Sequence, residues 1–283
     1  MYRFFMSLVL IVLSGAGTQL NAAEIRFAPL PMQERETTIA QFLPMTTFLE
    51  QKVGATLPFI YTDSYADLLR QFREDKIDLA YMGPLPYVAL RAKDTKAIPL
   101  VFFKEPSGQA TYTCALVGLS ERNINLAQGT QLKITLTQPL STCGYLATNG
   151  LLRQHNTSLA EHVYEYLGKH DEVATSVARG DADIGGLKTA IGKKYAHLGL
   201  EVLDKTKPLP AFALVANART LTPETMHAIA RALTDLDVHG QDAYLVQDWG
   251  EHIRYGVVPA TDEVYDVVRS LLGNDVIPEM GSF

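Results

Sequence analysis

Apolar positions along the chain follow two rhythms. Short apolar runs at Ile25–Leu30, Leu57–Tyr61, Ile77–Met82 and Ile98–Phe103 read as strands. Between them, Thr38–Val53 carries Ile39, Phe42, Leu43, Met45, Phe48, Leu49 and Val53 at helical spacing, and Gly54 stops it. Tyr65–Arg73 and a stretch near Leu85–Ala92, after Gly83-Pro84, also read as helices. This β-α-β-α-β-α-β order predicts an α/β fold with a mainly parallel, doubly wound sheet covered on both faces. The pattern then restarts. Strands are expected at Thr111–Gly118, Lys133–Leu136, Val163–Tyr166, Ala182–Gly185, Leu200–Leu203 and Ala211–Val215, with helices at Cys143–His155 and Glu172–Arg179. The tail reads as helices Pro223–Leu236, Gln241–Gln247 and Thr261–Leu272, with the single Trp249 as a packing residue between them.

Two of these units share a rhythm. Tyr65 opens a helix and lies 13 residues before Asp78, which opens a strand; His170 and Asp183 stand in the same relation. Ligands of open α/β sheets collect at the carboxyl ends of strands, beside helix N-termini. Two such units facing each other would form a cleft with Tyr65 and His170 on its walls.

Composition narrows the reading. The chain has 283 residues, 47% hydrophobic and 20% charged, which is globular and enough for two modest domains. A net charge of −6 without a basic run argues against a nucleic-acid partner. Met1 to Arg3, the apolar run Phe4–Leu13 and small residues down to Ala23 form a secretory signal at 1–23, cleaved after Ala22 or Ala23. The exported chain is then expected in the periplasm.

The segment Gln138-Pro-Leu-Ser-Thr-Cys-Gly-Tyr145 carries the most chemistry. A strand ends, a polar turn follows and a helix begins. Ser141 or Thr142 suits an N-cap, and Gly144 permits close approach of a ligand. Free N–H groups, the helix dipole and two hydroxyls together suit an oxyanion; ordinary capping explains the same residues. His170 is either an anion donor or a solvated helix-start histidine. Tyr87 starts a helix after a strand, so its hydroxyl either reaches the cleft or packs. Lys188, behind Gly185-Gly186, places positive charge at a strand end. A Cys143–His170 thiol–imidazole pair is conceivable, but nothing places the two in contact, so no catalytic residue is assigned. The histidines show no metal-binding spacing, and two cysteines are too few for a zinc scaffold. No metal or cofactor is expected. Cys114 and Cys143 leave three readings open: a disulfide favoured by an oxidising compartment, a functional thiol, or two inert buried residues.

The chain resembles the periplasmic phosphate, phosphite and phosphonate binding proteins that serve ABC importers. The likeness rests on Phe27-Ala-Pro-Leu-Pro-Met-Gln-Glu34, on Tyr65 within Thr62-Asp-Ser-Tyr-Ala-Asp67, and on Ile77-Asp-Leu-Ala-Tyr-Met-Gly-Pro84 with Tyr87. It continues through Ser141-Thr-Cys-Gly-Tyr145, His170-Asp171, and Tyr255-Gly-Val-Val-Pro259 with Tyr265-Asp-Val-Val-Arg269. The resemblance implies a type-II periplasmic-binding-protein fold with two lobes and a hinge crossed twice. Lobe one would hold 24–107 plus 208–283, and lobe two 108–207, with crossings near Lys104–Gly108 and Lys205–Pro210. Tyr65 and Tyr87 would be ligand-binding in the first lobe; Ser141, Thr142, the backbone at Cys143 and Gly144, and His170 in the second. The implied partners are a small oxyanion and a membrane permease, with the protein a monomer. The chain departs from the family at Cys143, where serine is usual, and near Cys114. It departs again at Lys188, where Asp or Asn is common; a lysine favours a more highly charged anion or one with an acidic tail. A related branch uses a cysteine to sense arsenite for a histidine kinase, which is the rival reading; a thiol enzyme is a second.

Overall fold

The computed structural model describes residues 23–282 apart from 128 and 130. The signal segment lies outside the described residues except for Ala23. From the N-terminus come β1 (Ala23–Glu24), β2 (Phe27–Pro29), α1 (Arg35–Val53), β3 (Ala55–Thr56), α2 (Tyr65–Arg73), β4 (Leu79–Met82), α3 (Pro84–Arg91) and β5 (Ala97–Phe103). Next come β6 (Thr111–Tyr112), β7 (Cys114–Leu119), β8 (Lys133–Leu136), α4 (Ala147–Gln154), β9 (Val163–Tyr166), α5 (His170–Arg179), β10 (Ile184–Lys188), α6 (Thr189–Lys194) and β11 (Leu200–Lys205). The chain returns through β12 (Leu209–Pro210) to β13 (Ala213–Asn217), α7 (Pro223–Thr234), α8 (Ala243–Val246), β14 (Val257–Pro259) and α9 (Asp266–Leu272).

Two five-stranded sheets result, in the orders β14-β5-β13-β4-β2 and β11-β7-β10-β8-β9. Most strands of each sheet point one way, but neighbours are not uniformly parallel. In the first sheet β13 lies between β4 and β5 and opposes both. In the second β7 lies between β10 and β11 and opposes both. The reason is the route of the chain. The short antiparallel pair β6–β12 carries it between the two sheets, and β7 and β13 are the strands that leave that pair. Each therefore enters its sheet from the cleft, against the strands that run toward the cleft.

The expected strand at Leu57–Tyr61 is not a ladder strand. Only Ala55–Thr56 pairs with β1, followed by a single bridge from Phe59 to Phe27. Pro58 has no N–H to give, and Leu57 N–H is taken by Glu50 Oε1 at 2.6 Å. Helix α2 matches its expected span because its signals agree. Ser64 Oγ accepts from Asp67 N–H at 3.1 Å, and Leu68, Leu69 and Phe72 share the buried face. Separate cores sit in each lobe, around Phe27, Phe42, Met45 and Tyr81 in the first and around Ile134, Leu136, Leu152 and Ile184 in the second. Each such side chain stabilises its lobe by roughly 1.5–3 kcal/mol.

The C-terminus makes a further connection. Helix α9 buries Val268 in the first lobe. Beyond Gly273 (φ 53°) the tail runs onto the second lobe. Asp275 pairs with Arg153 at 2.8 Å, Tyr166 Oη donates to Pro278 O at 3.1 Å, and Ser282 exchanges two bonds with Tyr164 at 2.7 and 2.8 Å. The tail thereby covers β9, an edge strand.

Candidate functional site

A cavity of about 50 Å³ lies between the two sheets. Its polar wall is built from helix starts. Tyr65 begins α2, Gly83 precedes α3, Ser141 and Thr142 begin the turn into α4, and His170 begins α5. All four starts present the positive ends of their peptide dipoles to one small space. The apolar wall includes Leu30, Met32 and Phe212. At roughly 10–15 Å³ per water-sized centre, such a cavity holds only a few heavy atoms.

The turn into α4 explains how the second lobe presents its hydroxyls. Ser141 is extended (φ −76°, ψ 130°), and its Oγ accepts from Gly144 N–H at 3.1 Å. The chain then makes one wide turn in which Ala147 N–H reaches Thr142 O, instead of entering an α-helix at Cys143 directly. Gly144 is required by packing, since a Cβ there would stand 2.4 Å from Thr137 Oγ1. Gly186 on β10 seats the same turn, because its Cβ would stand 1.9 Å from Thr148 Oγ1.

Three side chains face the cavity with their acceptor atoms already engaged by backbone N–H groups. Ser141 Oγ holds Gly144 N–H. Thr142 Oγ1 accepts from Leu85 N–H of the first lobe at 3.0 Å. His170 Nδ1 accepts from Lys188 N–H at 3.4 Å, which puts the proton of the neutral ring on Nε2. Burial, and then the adjacent Lys188 ammonium, push the His170 imidazole down to about 4, so the ring is neutral near pH 7. What remains on the His170 ring is the Nε2–H donor, while the two hydroxyls each keep an O–H and one lone pair. Burial raises the Tyr65 phenol, so Tyr65 also stays a protonated hydroxyl.

The two lobes touch through polar bonds around the cavity. Gln138 Oε1 accepts from Tyr65 N–H at 3.0 Å, and Gln138 Nε2 donates to Pro31 O at 3.3 Å. Lys188 lines the cavity, but its ammonium is held by both Glu105 oxygens at 2.7 and 2.8 Å. The side chains of this pair are 9% and 15% exposed. Lys188 therefore brings no uncompensated charge, and the expectation of a more highly charged ligand on its account is withdrawn.

Tyr65, Ser141, Thr142, Cys143, His170 and Lys188 all line the cavity; Tyr87 and Gly144 do not. Tyr87 turns into the first-lobe core, where its ring packs at a tilt against Tyr265, centroids 4.1 Å apart, and its hydroxyl donates to Asp262 Oδ1 at 2.6 Å. Its place at a helix start gave no direction for the ring, and a partner 175 residues away decided it. The Gly144 N–H is consumed by the cap. Cys114 and Cys143 are joined in a disulfide with a Cα separation of 5.0 Å, tying β7 to the turn. Sequence reasoning gave no role to Gln138, Glu105 or His252, all of which bound or line the site. Gln138 opened the quoted turn segment, and Glu105 stood beside a predicted crossing; His252 had no pattern around it.

The sequence profile of ABC-transporter phosphonate periplasmic substrate-binding proteins matches residues 27–265. The chain is 28% identical to the phosphate-import protein PhnD of Mycolicibacterium smegmatis, covering 87% of this chain and 84% of that protein. It is also similar in fold to PhnD1 of Prochlorococcus marinus, solved with methylphosphonate. That match has a TM-score of 0.76 and 16% identity, over 89% of this chain and 97% of that one. A binding component of an ABC phosphonate transporter from Pseudomonas aeruginosa has the same TM-score of 0.76 at 18% identity, over 88% and 85%. With a profile match across most of its length and this two-lobe fold, the chain belongs to the periplasmic phosphonate-binding family of ABC-transporter substrate-binding proteins.

Proposed function

We propose that this protein captures a small phosphorus oxyanion, a phosphonate or a phosphate-like ion, and presents it to an ABC importer without making or breaking a bond. The observation that carries the reading is the set of donors at converging helix starts: the Ser141 and Thr142 hydroxyls and His170 Nε2–H face one small cavity, each held in place by a backbone N–H on its acceptor atom. Such groups, with the positive ends of the helix starts, replace the water shell of an anion. One matched protein is named for phosphate import and another was solved with methylphosphonate, both small phosphorus oxyanions.

In this reading the chain is exported, its leader is removed, and β6–β12 is the hinge between lobes 24–107 plus 208–283 and 108–207. Closure brings Gln138 onto Tyr65 and Thr142 onto Leu85, sealing the ligand from water. The closed shape is what a permease recognises. The disulfide also bears on the rivals. With both sulfurs bonded, neither is the thiolate that an arsenite site or a thiol enzyme requires.

Calorimetry tests this. Wild type is titrated with phosphate, phosphite, methylphosphonate and arsenite, alongside Ser141→Ala, Thr142→Ala and His170→Ala. A donor to a charged ligand contributes roughly 1.5–3 kcal/mol. Each variant therefore binds the preferred phosphorus anion about ten-fold to more than a hundred-fold less tightly. Unchanged affinity in all three removes the proposal.

A further inference from the structure

A second imidazole lines the cavity from the first lobe. His252 lies between two buried anchors, Trp249, which packs on Phe48 at 5.7 Å, and Ile253, which is 1% exposed in the first-lobe core. These anchors hold residue 252 at the cavity wall. Its ring has no hydrogen bond to any described residue, whereas His170 is fixed by Lys188 N–H. Two rings from opposite lobes thus meet one space, one of them with both nitrogens uncommitted.

The charges around His252 are mixed. Lys188 of β10 faces it, already paired with Glu105, and Lys194 of α6 lies further off, near Asp171 of α5 at 3.6 Å. His170 of α5 is its neutral counterpart. On its own segment Glu251 is exposed, and Arg254 is bonded to Tyr255. Burial and then the two lysines push the His252 imidazole down to about 4, so the ring is uncharged near pH 7. An anion in the cavity reverses that balance, because a negative charge within ~4–6 Å favours the imidazolium. The cavity lining has no arginine, its lysine is paired with Glu105, and its one carboxylate is Asp171 of α5, so a protonated His252 ring is the further positive charge it can offer an anion.

We propose that His252 is a direct first-lobe contact to the captured anion and that capture draws a proton from solvent onto this ring. This rests on the oxyanion reading above. Binding would then tighten as pH falls, and the two lobes would share the ligand between His170 Nε2–H and a charged His252.

The test is calorimetry of methylphosphonate and inorganic phosphate at pH 5.5 and 7.5, each in two buffers of different ionisation heat, which counts protons taken up. Wild type is compared with His252→Gln and His170→Gln at the same pH, so the ligand's own titration cancels. The expected result is about one fewer proton taken up per anion in His252→Gln at pH 5.5. Its affinity falls about ten-fold at pH 5.5 and clearly less at pH 7.5. A merely structural role for His252 weakens binding evenly at both pH values, and that outcome overturns the proposal. So does an unchanged proton count in His252→Gln, or a loss of uptake confined to His170→Gln. If wild type binds neither anion, the oxyanion reading fails, and this inference fails with it; binding by wild type with an unaltered His252→Gln sinks this inference alone.

Discussion

The units Tyr65–Asp78 and His170–Asp183 share one frame and finish it differently. In each, a helix starts at the cavity and an aspartate stands one residue before a strand. Asp78 accepts Arg26 N–H at 2.7 Å, and Asp183 accepts Lys133 N–H at 2.8 Å. Each aspartate also returns its own N–H to the same residue's carbonyl, at 3.0 and 2.8 Å. Each carboxylate takes an arginine as well, Arg26 or Arg122. The surroundings then diverge. The Asp78 side chain is 4% exposed and that of Asp183 is 35%. At the other end of the unit, α2 is capped by Ser64 and its first N–H is taken by Gln138. Helix α5 follows Lys169, with no side-chain cap. Its leading amides, ahead of the first intrahelical bond from Val173, remain beside His170. A repeated frame can therefore be closed by a cap and a buried ion pair in one copy and left with open leading amides at the cavity in the other.

Replacing the two aspartates breaks the comparison most directly. Burial alone would raise the Asp78 carboxyl, but bonds from Arg26 and Thr220 hold it below its usual range. Removing it leaves Arg26 and a backbone N–H unpaired. Asp78→Ala should lose about 3 kcal/mol, and Asp183→Ala, whose pair is solvated, about 1 kcal/mol. Urea unfolding measures both; equal losses would mean that burial does not distinguish the copies.

Acid sharpens it next. An unfolded histidine titrates near 6.5, whereas folded His170 does so at about 4. Between these values the unfolded chain binds more protons, so stability is full above pH 6.5 and falls as pH drops toward 4. His170→Gln should abolish about 2 kcal/mol of that fall. Tyr65→Phe, the matching change in the first unit, should leave the fall intact. The Asp78 carboxyl is shifted in the same direction, downward, so its contribution is also lost as pH falls, but in the lower window that opens around the unfolded carboxylate value, ~3.9. Thermal unfolding across pH 5–7 therefore reports the lowered histidines, His170 together with His252, and an identical fall in His170→Gln would refute the assignment.

The caps give the smallest contrast. Ser64→Ala should lose about 1 kcal/mol. Lys169→Ala should stay within about 0.5 kcal/mol, although Lys169 pairs with exposed Glu34. Comparable losses from both would show that α5 depends on its entry residue as much as α2 does.

What the sequence disclosed was local. The helix expected at Tyr65–Arg73 and the strands expected at Lys133–Leu136 and Val163–Tyr166 all fall where the patterning places them. The reach of Thr142 to Leu85 and of Tyr87 to Asp262 depends on pairings 57 and 175 residues apart. No periodicity encodes these. The antiparallel entry of β7 and β13 was hidden for a related reason, since a strand's direction follows from where the chain arrives and not from its own residues. Lys188 reads as a free charge until the fold brings Glu105 to it, 83 residues earlier. His252 was silent because a single histidine in a helical tail has no signature.

The C-terminal tail adds a mechanical condition. Two strands crossing side by side define an axis, and two bodies joined only there swing freely about it. Residues 274–282 join the same two bodies at a point off that axis, through Arg153, Tyr166 and Tyr164. A swing wide enough to admit solute must either strip this tether from β9 or be absorbed at Gly273, whose positive φ marks the joint where the tether leaves α9. If the lobes part about β6–β12 as proposed, the tether limits how far they part, at a distance from the cavity lining.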